Sequence, residues 1–170
     1  MMAFMLGGRK ARLGFKKLHE DAKIPHKAHP GDAGMDICAI EDVTLNVFEP
    51  KIVKTGLAVD IPDGFEIQVR PRSGLAAKGV TVWNSPGTID SGYKGEIGVI
   101  LVFTAPPEDN NTEPDDPVDH GITIFHKFNI KKGDRIAQLV LAPVIECVTC
   151  EVSDVGDSDR GTGGFGSTGV

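Results

Sequence analysis

The segment Gly87-Thr88-Ile89-Asp90-Ser91-Gly92-Tyr93 sets one carboxylate and the chain's single tyrosine among residues that favour turns. Asn84-Ser85-Pro86-Gly87 leads into it with turn chemistry of its own, and Asp90 to Tyr93 predicts a tight hairpin. Such a hairpin presents the carboxylate and the ring on one side. A carboxylate close to a metal-bound phosphate can act as the general base for an attacking water. The ring of Tyr93 suits packing against a sugar. Taken alone, the same residues equally fit a capped turn with an aromatic covering an edge.

Arg72-Ser73-Gly74 offers a different chemistry. Arg72 is a planar fork of donors matched to phosphate, Ser73 adds a hydroxyl, and Gly74 permits close approach of the backbone. If Ser73 opens a short helix, its free N–H groups add to an anion site; otherwise Ser73 caps a turn beside a solvated arginine. Gln138, within Gly133-Asp134-Arg135-Ile136-Ala137-Gln138-Leu139, shares a strand face with Ile136 and Val140. Its amide needs a polar partner if that face is buried, and both a phosphate oxygen and a backbone group qualify. Asp36, in Ala33-Gly34-Met35-Asp36-Ile37, raises the same question.

The end of the sequence carries Gly161-Thr162-Gly163-Gly164-Phe165-Gly166. This satisfies the glycine spacing of a dinucleotide-binding loop, which works by seating a pyrophosphate at the start of a following helix. Too few residues follow to make that helix, and no P-loop lysine is present. Arg160 and Phe165 nevertheless suggest more than a linker: a guanidinium can fork onto a terminal phosphate, and a ring can stack on a base. Residues 154–170 are therefore expected to form a pliable glycine-rich arm or lid.

The elements that must hold these groups are short strands. Phe65 to Arg70 alternates apolar and polar residues, and Ile52 to Val59, Gly98 to Phe103, Ile122 to Ile130 and Ile136 to Val144 are similar runs. Ile61-Pro62-Asp63-Gly64 and Lys131-Lys132-Gly133-Asp134 mark turns between them. Only Ser73 to Lys78 favours a helical turn. An all-β sandwich or barrel follows, as one domain over 1–153. Residues 105–121, rich in Pro, Asp, Glu and Asn, are expected to form an exposed acidic loop inserted in it. The prolines and the missing central glycine argue against a calcium loop there.

Net charge is −6, which argues against broad nucleic-acid binding and requires local basic groups for an anionic substrate. Met1 to Leu6 is too short to span a bilayer, so no membrane association and a cytoplasmic setting (a host cell interior for a viral protein) are expected. Three cysteines, Cys38, Cys147 and Cys150, fit reduced thiols. Cys147-Val148-Thr149-Cys150 has the spacing of half a zinc site or a redox pair, but no second pair accompanies it.

Five segments together, in this order, resemble the motifs of the trimeric deoxyuridine triphosphatase (dUTPase) family. They are Ala33 to Ile37, Arg72 to Gly74, Gly87 to Glu96, Gly133 to Leu139 and Arg160 to Gly169. The resemblance implies a jelly-roll-like distorted β-barrel with one short helix. Three subunits would share active sites that convert dUTP and water into dUMP and pyrophosphate with Mg²⁺. Asp90 would activate the water, and Asp36 would hold Mg²⁺ through coordinated water. Arg72, Ser73, Gly74 and Gln138 would grip the phosphates. Asn84, with Gly87, Thr88 and Ile89, would read uracil, and Tyr93 would exclude a 2′-hydroxyl. Phe165 would stack on the base, while Arg160, Gly166, Ser167 and Thr168 close over the outer phosphates.

Residues 105–121 exceed the short connection the family pattern predicts, which leaves room for a protein-binding role. Two other functions stay open. A dCTP deaminase of the same fold would need a different acid/base set, usually with a glutamate in the nucleoside hairpin. A non-catalytic binding relative should have lost Asp90, Arg160 or Asp36.

Overall fold

The computed structural model describes residues 11–104 and 127–163. The strands in chain order are β1 (Gly14–Lys17), β2 (Gly34–Cys38), β3 (Val43–Asn46), β4 (Lys51–Lys54), β5 (Leu57–Asp60) and β6 (Phe65–Arg70). A single helical turn, α1 (Ser73–Ala76), is followed by β7 (Val80–Val82), β8 (Gly87–Ile89), β9 (Gly98–Phe103), β10 (Lys127–Ile130) and β11 (Arg135–Pro143). Pairing is antiparallel within four sheets ordered β1-β5, β10-β3, β2-β11-β6-β8 and β4-β9-β7. The all-β, jelly-roll-like class expected from the sequence is what folds. Among the described residues, however, the pairing does not close into a barrel.

One core joins the sheets, because each strand turns its alternate apolar residues inward. Ile37, Leu139, Ile67 and Val69 come from the four-stranded sheet; Val53, Val99, Leu101 and Val80 come from the three-stranded one. Leu45, Ile130, Leu57 and Val59 close the remaining sides. The opposite face of the four-stranded sheet is polar. Asp36 on β2 stands directly across from Gln138 on β11, and Gln138 stands across from Arg70 on β6.

The run Ile52 to Val59, expected as one strand, is two. It breaks at Thr55-Gly56, where Gly56 has φ +64° and an added Cβ would lie 2.9 Å from that of His19. Thr55 is fully buried, its hydroxyl donating to the carbonyl of Ile97 at 2.6 Å, so the chain turns there and changes sheets. Helix α1 ends at Ala76, two residues short of the expected end. Five strands went unexpected, β1, β2, β3, β7 and β8. Each spans three to five residues, too few for alternation to stand out.

The turn before β11 is tied down by Asp42, whose carboxylate accepts the N–H of Lys132 at 2.8 Å and the Lys131 ammonium at 3.1 Å. These bonds, the backbone one first, hold the Asp42 carboxyl below its ordinary value. A depressed carboxyl stabilises the fold above its unfolded pKa, and that contribution disappears as pH falls through the folded value. Asp42→Ala is therefore expected to lower the unfolding midpoint at pH 7 and to lower it by less near pH 3. Thermal unfolding of both proteins at the two pH values checks this; a deficit undiminished in acid contradicts it.

Candidate active site

Two groups of predicted residues lie in separate clefts. In the first, Thr88, Ile89, Asp90 and Tyr93 share a cleft with Glu96, Ile97 and Gly98. Asp90 is exposed just beyond β8. The turn after it closes through the Tyr93 N–H donating to the Asp90 carbonyl at 3.0 Å. This turn is not the hairpin expected from sequence. Strand β8 pairs with β6 while β9 pairs with β4 and β7, so the chain crosses between sheets here.

The Tyr93 hydroxyl donates to the carbonyl of Glu96 at 2.8 Å, folding the ring back over Gly95. A Cβ at Gly95 would lie 2.6 Å from that hydroxyl oxygen, so the glycine is what admits the ring. Glu96 is anchored in turn, its carboxylate accepting the Gly56 N–H at 2.8 Å. Asn84 is exposed in the turn between β7 and β8, which contains a cis Ser85–Pro86 bond. Its amide lies over Gly87, where an added Cβ would come within 3.1 Å of the amide nitrogen.

The second group surrounds Asp36. The Arg72 guanidinium donates through Nε to Asp36 Oδ1 at 2.8 Å and through Nη2 to Oδ2 at 3.4 Å. Its Nη1 donates to the backbone carbonyl of Arg135 at 3.1 Å. Arg135 reaches the same carboxylate, Nη1 to Oδ2 at 3.1 Å. Asp36 thus lies between two cations, each bond charge-assisted. Arg72 occupies the N-cap position of α1 in an extended conformation, and Ser73 is the first helical residue. The serine's carbonyl accepts the N–H of Ala77 at 2.9 Å, while Ser73 and Gly74 themselves are exposed beside the groove.

Gln138 bridges two depressions on this face. One is lined by Gln68, Arg70, Ser73 and Pro86, the other by His26, Asp32, Gly34 and Asp36. Its Nε2 donates to the Pro71 carbonyl at 2.8 Å, the backbone alternative foreseen for this amide. A Cβ at Gly34 would stand 2.2 Å from Gln138 Oε1 and 3.2 Å from its Cδ. Gly34→Ala is therefore expected to push the amide off Pro71 and to cost ~0.5–1.5 kcal/mol for the lost hydrogen bond. Denaturant unfolding measures it, and an unchanged midpoint contradicts the close packing.

Arg160 sits apart from both groups, in an exposed turn where its Nε donates to the Gly163 carbonyl at 2.7 Å. Phe165, Gly166, Ser167 and Thr168 lie outside the described residues, as does the 105–121 segment. Arg135 was not singled out from sequence as a site residue. Its signal, a cation three residues before Gln138, acquires meaning only from the irregularity of β11. Cys147 and Cys150 are exposed free thiols beyond that strand. Among the described residues no three His, Cys, Asp or Glu side chains gather to hold a metal. No helix among them is long and apolar enough to cross a membrane.

The dUTPase family model matches residues 20–106 and 123–169. A deoxyuridine 5'-triphosphate nucleotidohydrolase of Picosynechococcus is 49% identical over 155 residues, 91% of this chain and 96% of the relative. That of Clostridium tetani is 45% identical over 158 residues, 92% and 96% of the two chains. Among solved structures, a mutant dUTPase of Staphylococcus bacteriophage 80alpha with dUpNHpp superposes with a TM-score of 0.77. It is 31% identical and covers 95% of this chain and all of its own. A mutant dUTPase from phage phi11 of S. aureus, described with a structural Mg(II) ion, gives 0.70 at 30% identity, covering 85% of this chain and 99% of its own.

Proposed function

The chain belongs to the dUTPase family, and on that premise we propose that it hydrolyses dUTP to dUMP and pyrophosphate. This reaction would limit uracil in DNA and supply dUMP for thymidylate synthesis. The observation that carries the reading is the cleft in which Asp90 and the hydrogen-bonded Tyr93 ring stand together beside β8. In the proposed reaction Asp90 accepts a proton from water as the water oxygen bonds to the α-phosphorus. The bond from that phosphorus to the bridging oxygen breaks, and pyrophosphate leaves.

The Tyr93 ring would lie against deoxyribose and leave no space for a 2′-hydroxyl. Asn84 and the backbone of Gly87, Thr88 and Ile89 would read the uracil edge. Thymine adds a methyl that a tight turn rejects. Cytosine exchanges a donor for an acceptor and leaves buried polar groups unpaired, the costlier mismatch.

Arg72, Ser73, Gly74 and Gln138 would hold the phosphates. The Asp36 site fits a metal only through water. Its oxygens already accept two guanidinium groups, and Oδ1 takes a single bond, leaving room to accept from a coordinated water. Bound Mg²⁺ would supply charge neutralisation across the triphosphate.

Within one chain the Asp90 cleft shares no lining residue with the depressions at Asp36 and Ser73. That separation supports a homotrimer whose active sites combine residues of different subunits. So do the apolar side chains beyond β11, where Ile145, Val148 and Val155 are 87%, 94% and 92% exposed. A neighbouring subunit would cover such a segment. The arm over 154–170 would bring Arg160, Phe165, Gly166, Ser167 and Thr168 over bound nucleotide, excluding bulk water. We assign a cytoplasmic location. The family match skips residues 107–122, which supports reading 105–121 as an insert in the 1–153 domain, free to take a partner.

Pyrophosphate release from dUTP, UTP, dTTP and dCTP, with and without Mg²⁺, tests the reading. Strong preference for dUTP and dependence on Mg²⁺ are expected. Absence of dUTP turnover, or ammonia released from dCTP, overturns it.

A further inference from the structure

Strand β11 is irregular at its start. Arg135 stands opposite Cys38 and Ala137 opposite Ile37, so Ile136 is an extra residue without a partner on β2. In a regular strand Arg135 would share a face with Ala137 and Leu139, both fully buried in the core. The bulge moves it instead to the face of Cys38 and Asp36. Bulges commonly re-aim a side chain in this way.

The turn that launches the bulge is fixed on both sides. Gly133 has φ +89° and its N–H donates to the Ala39 carbonyl at 2.8 Å, while the Asp134 carbonyl accepts the Ala39 N–H at 2.9 Å. Once re-aimed, Arg135 makes two contacts with the Asp36–Arg72 pair. Its Nη1 donates to Asp36 Oδ2, and its backbone carbonyl accepts from Arg72 Nη1 at 3.1 Å. Arg72 is thereby held at three points, two on the carboxylate and one on the bulged backbone. Its remaining N–H groups on Nη1 and Nη2 are left to bind an anion.

We propose that Arg135 is a positioning residue, acting through Asp36 to hold Arg72 ready for the triphosphate; this rests on the dUTP reading above. Its side chain fixes Asp36 Oδ2 and offsets the carboxylate charge that would otherwise oppose an incoming phosphate. A direct grip of Arg135 on the phosphates is the competing role, and coupling separates the two. A residue acting through Asp36 loses its effect once Asp36 no longer carries the charge, whereas a direct contact does not.

The test is a double-mutant cycle of Arg135→Gln and Asp36→Asn in the full chain. Two quantities are read: kcat/KM for dUTP, and affinity for a non-hydrolysable dUTP analogue by calorimetry without Mg²⁺. Arg135→Gln should weaken analogue binding ~10-fold in the parent and less than ~2-fold in the Asp36→Asn background, a coupling of at least ~5-fold. Because one N–H makes the contact, Arg135→Lys should restore binding to within ~3-fold of the parent. Coupling below that threshold, or parent-like binding by Arg135→Gln, overturns the proposal. Unfolding midpoints identify any variant that loses binding by losing its fold, and for such a variant Arg135→Lys decides the matter. If the parent itself neither binds the analogue nor hydrolyses dUTP, the substrate reading falls and the positioning role falls with it.

Discussion

Asp90→Asn is expected to lower kcat for dUTP by ~10²–10⁴, the range that a positioned general base contributes. The substitution is close to isosteric, and the turn does not depend on the carboxylate. What closes that turn is the Tyr93 N–H on the Asp90 backbone carbonyl, which the variant keeps. Tyr93 also retains its bond to Glu96, so the nucleoside cleft should survive and KM should move little. Steady-state kinetics with unfolding midpoints for both proteins separates the outcomes. A loss confined to kcat assigns Asp90 to the chemical step. A parent-like kcat contradicts its role as base, and a rise in KM at constant kcat would make it a binding residue instead.

The sequence made the chemistry of this site more legible than its shape. Asp90, Tyr93, Arg72 and Asp36 each fit an ordinary structural role when taken alone, and what singles them out as candidates is five motifs in one order that resemble the dUTPase family. The strands carrying them were less legible. β2 is a five-residue strand whose polar Asp36 interrupts an otherwise apolar run, and β8 has only three residues. The hairpin expected at Asp90 failed for a physical reason. A turn motif specifies a reversal of the chain but not which sheet the next strand joins, and here the core sends β8 and β9 to different sheets. The bulge that re-aims Arg135 has no local signature either, because it follows from how β11 meets β2 across nearly a hundred residues of chain.

The second large effect should come from Arg72→Lys, a change that keeps the charge and removes the fork. The guanidinium makes three bonds at once, through Nε and Nη2 to Asp36 and through Nη1 to the Arg135 carbonyl. A lysine ammonium is a point charge on a flexible stem and cannot reproduce that planar set. It could remain on Asp36 or swing toward the phosphates, but one nitrogen cannot hold both geometries. Misplacement of a positioning group by about 1 Å can cost ~10²-fold, and kcat/KM for dUTP is expected to fall by about that much. The side chains of Arg72 and Asp36 are 25% and 29% exposed, so the ammonium can stay hydrated and the fold should persist with a small change in unfolding midpoint. Measuring kcat/KM for dUTP beside the affinity for pyrophosphate locates the loss: both should fall if Arg72 grips the phosphates. Unchanged pyrophosphate affinity with impaired turnover would instead confine Arg72 to ordering Asp36.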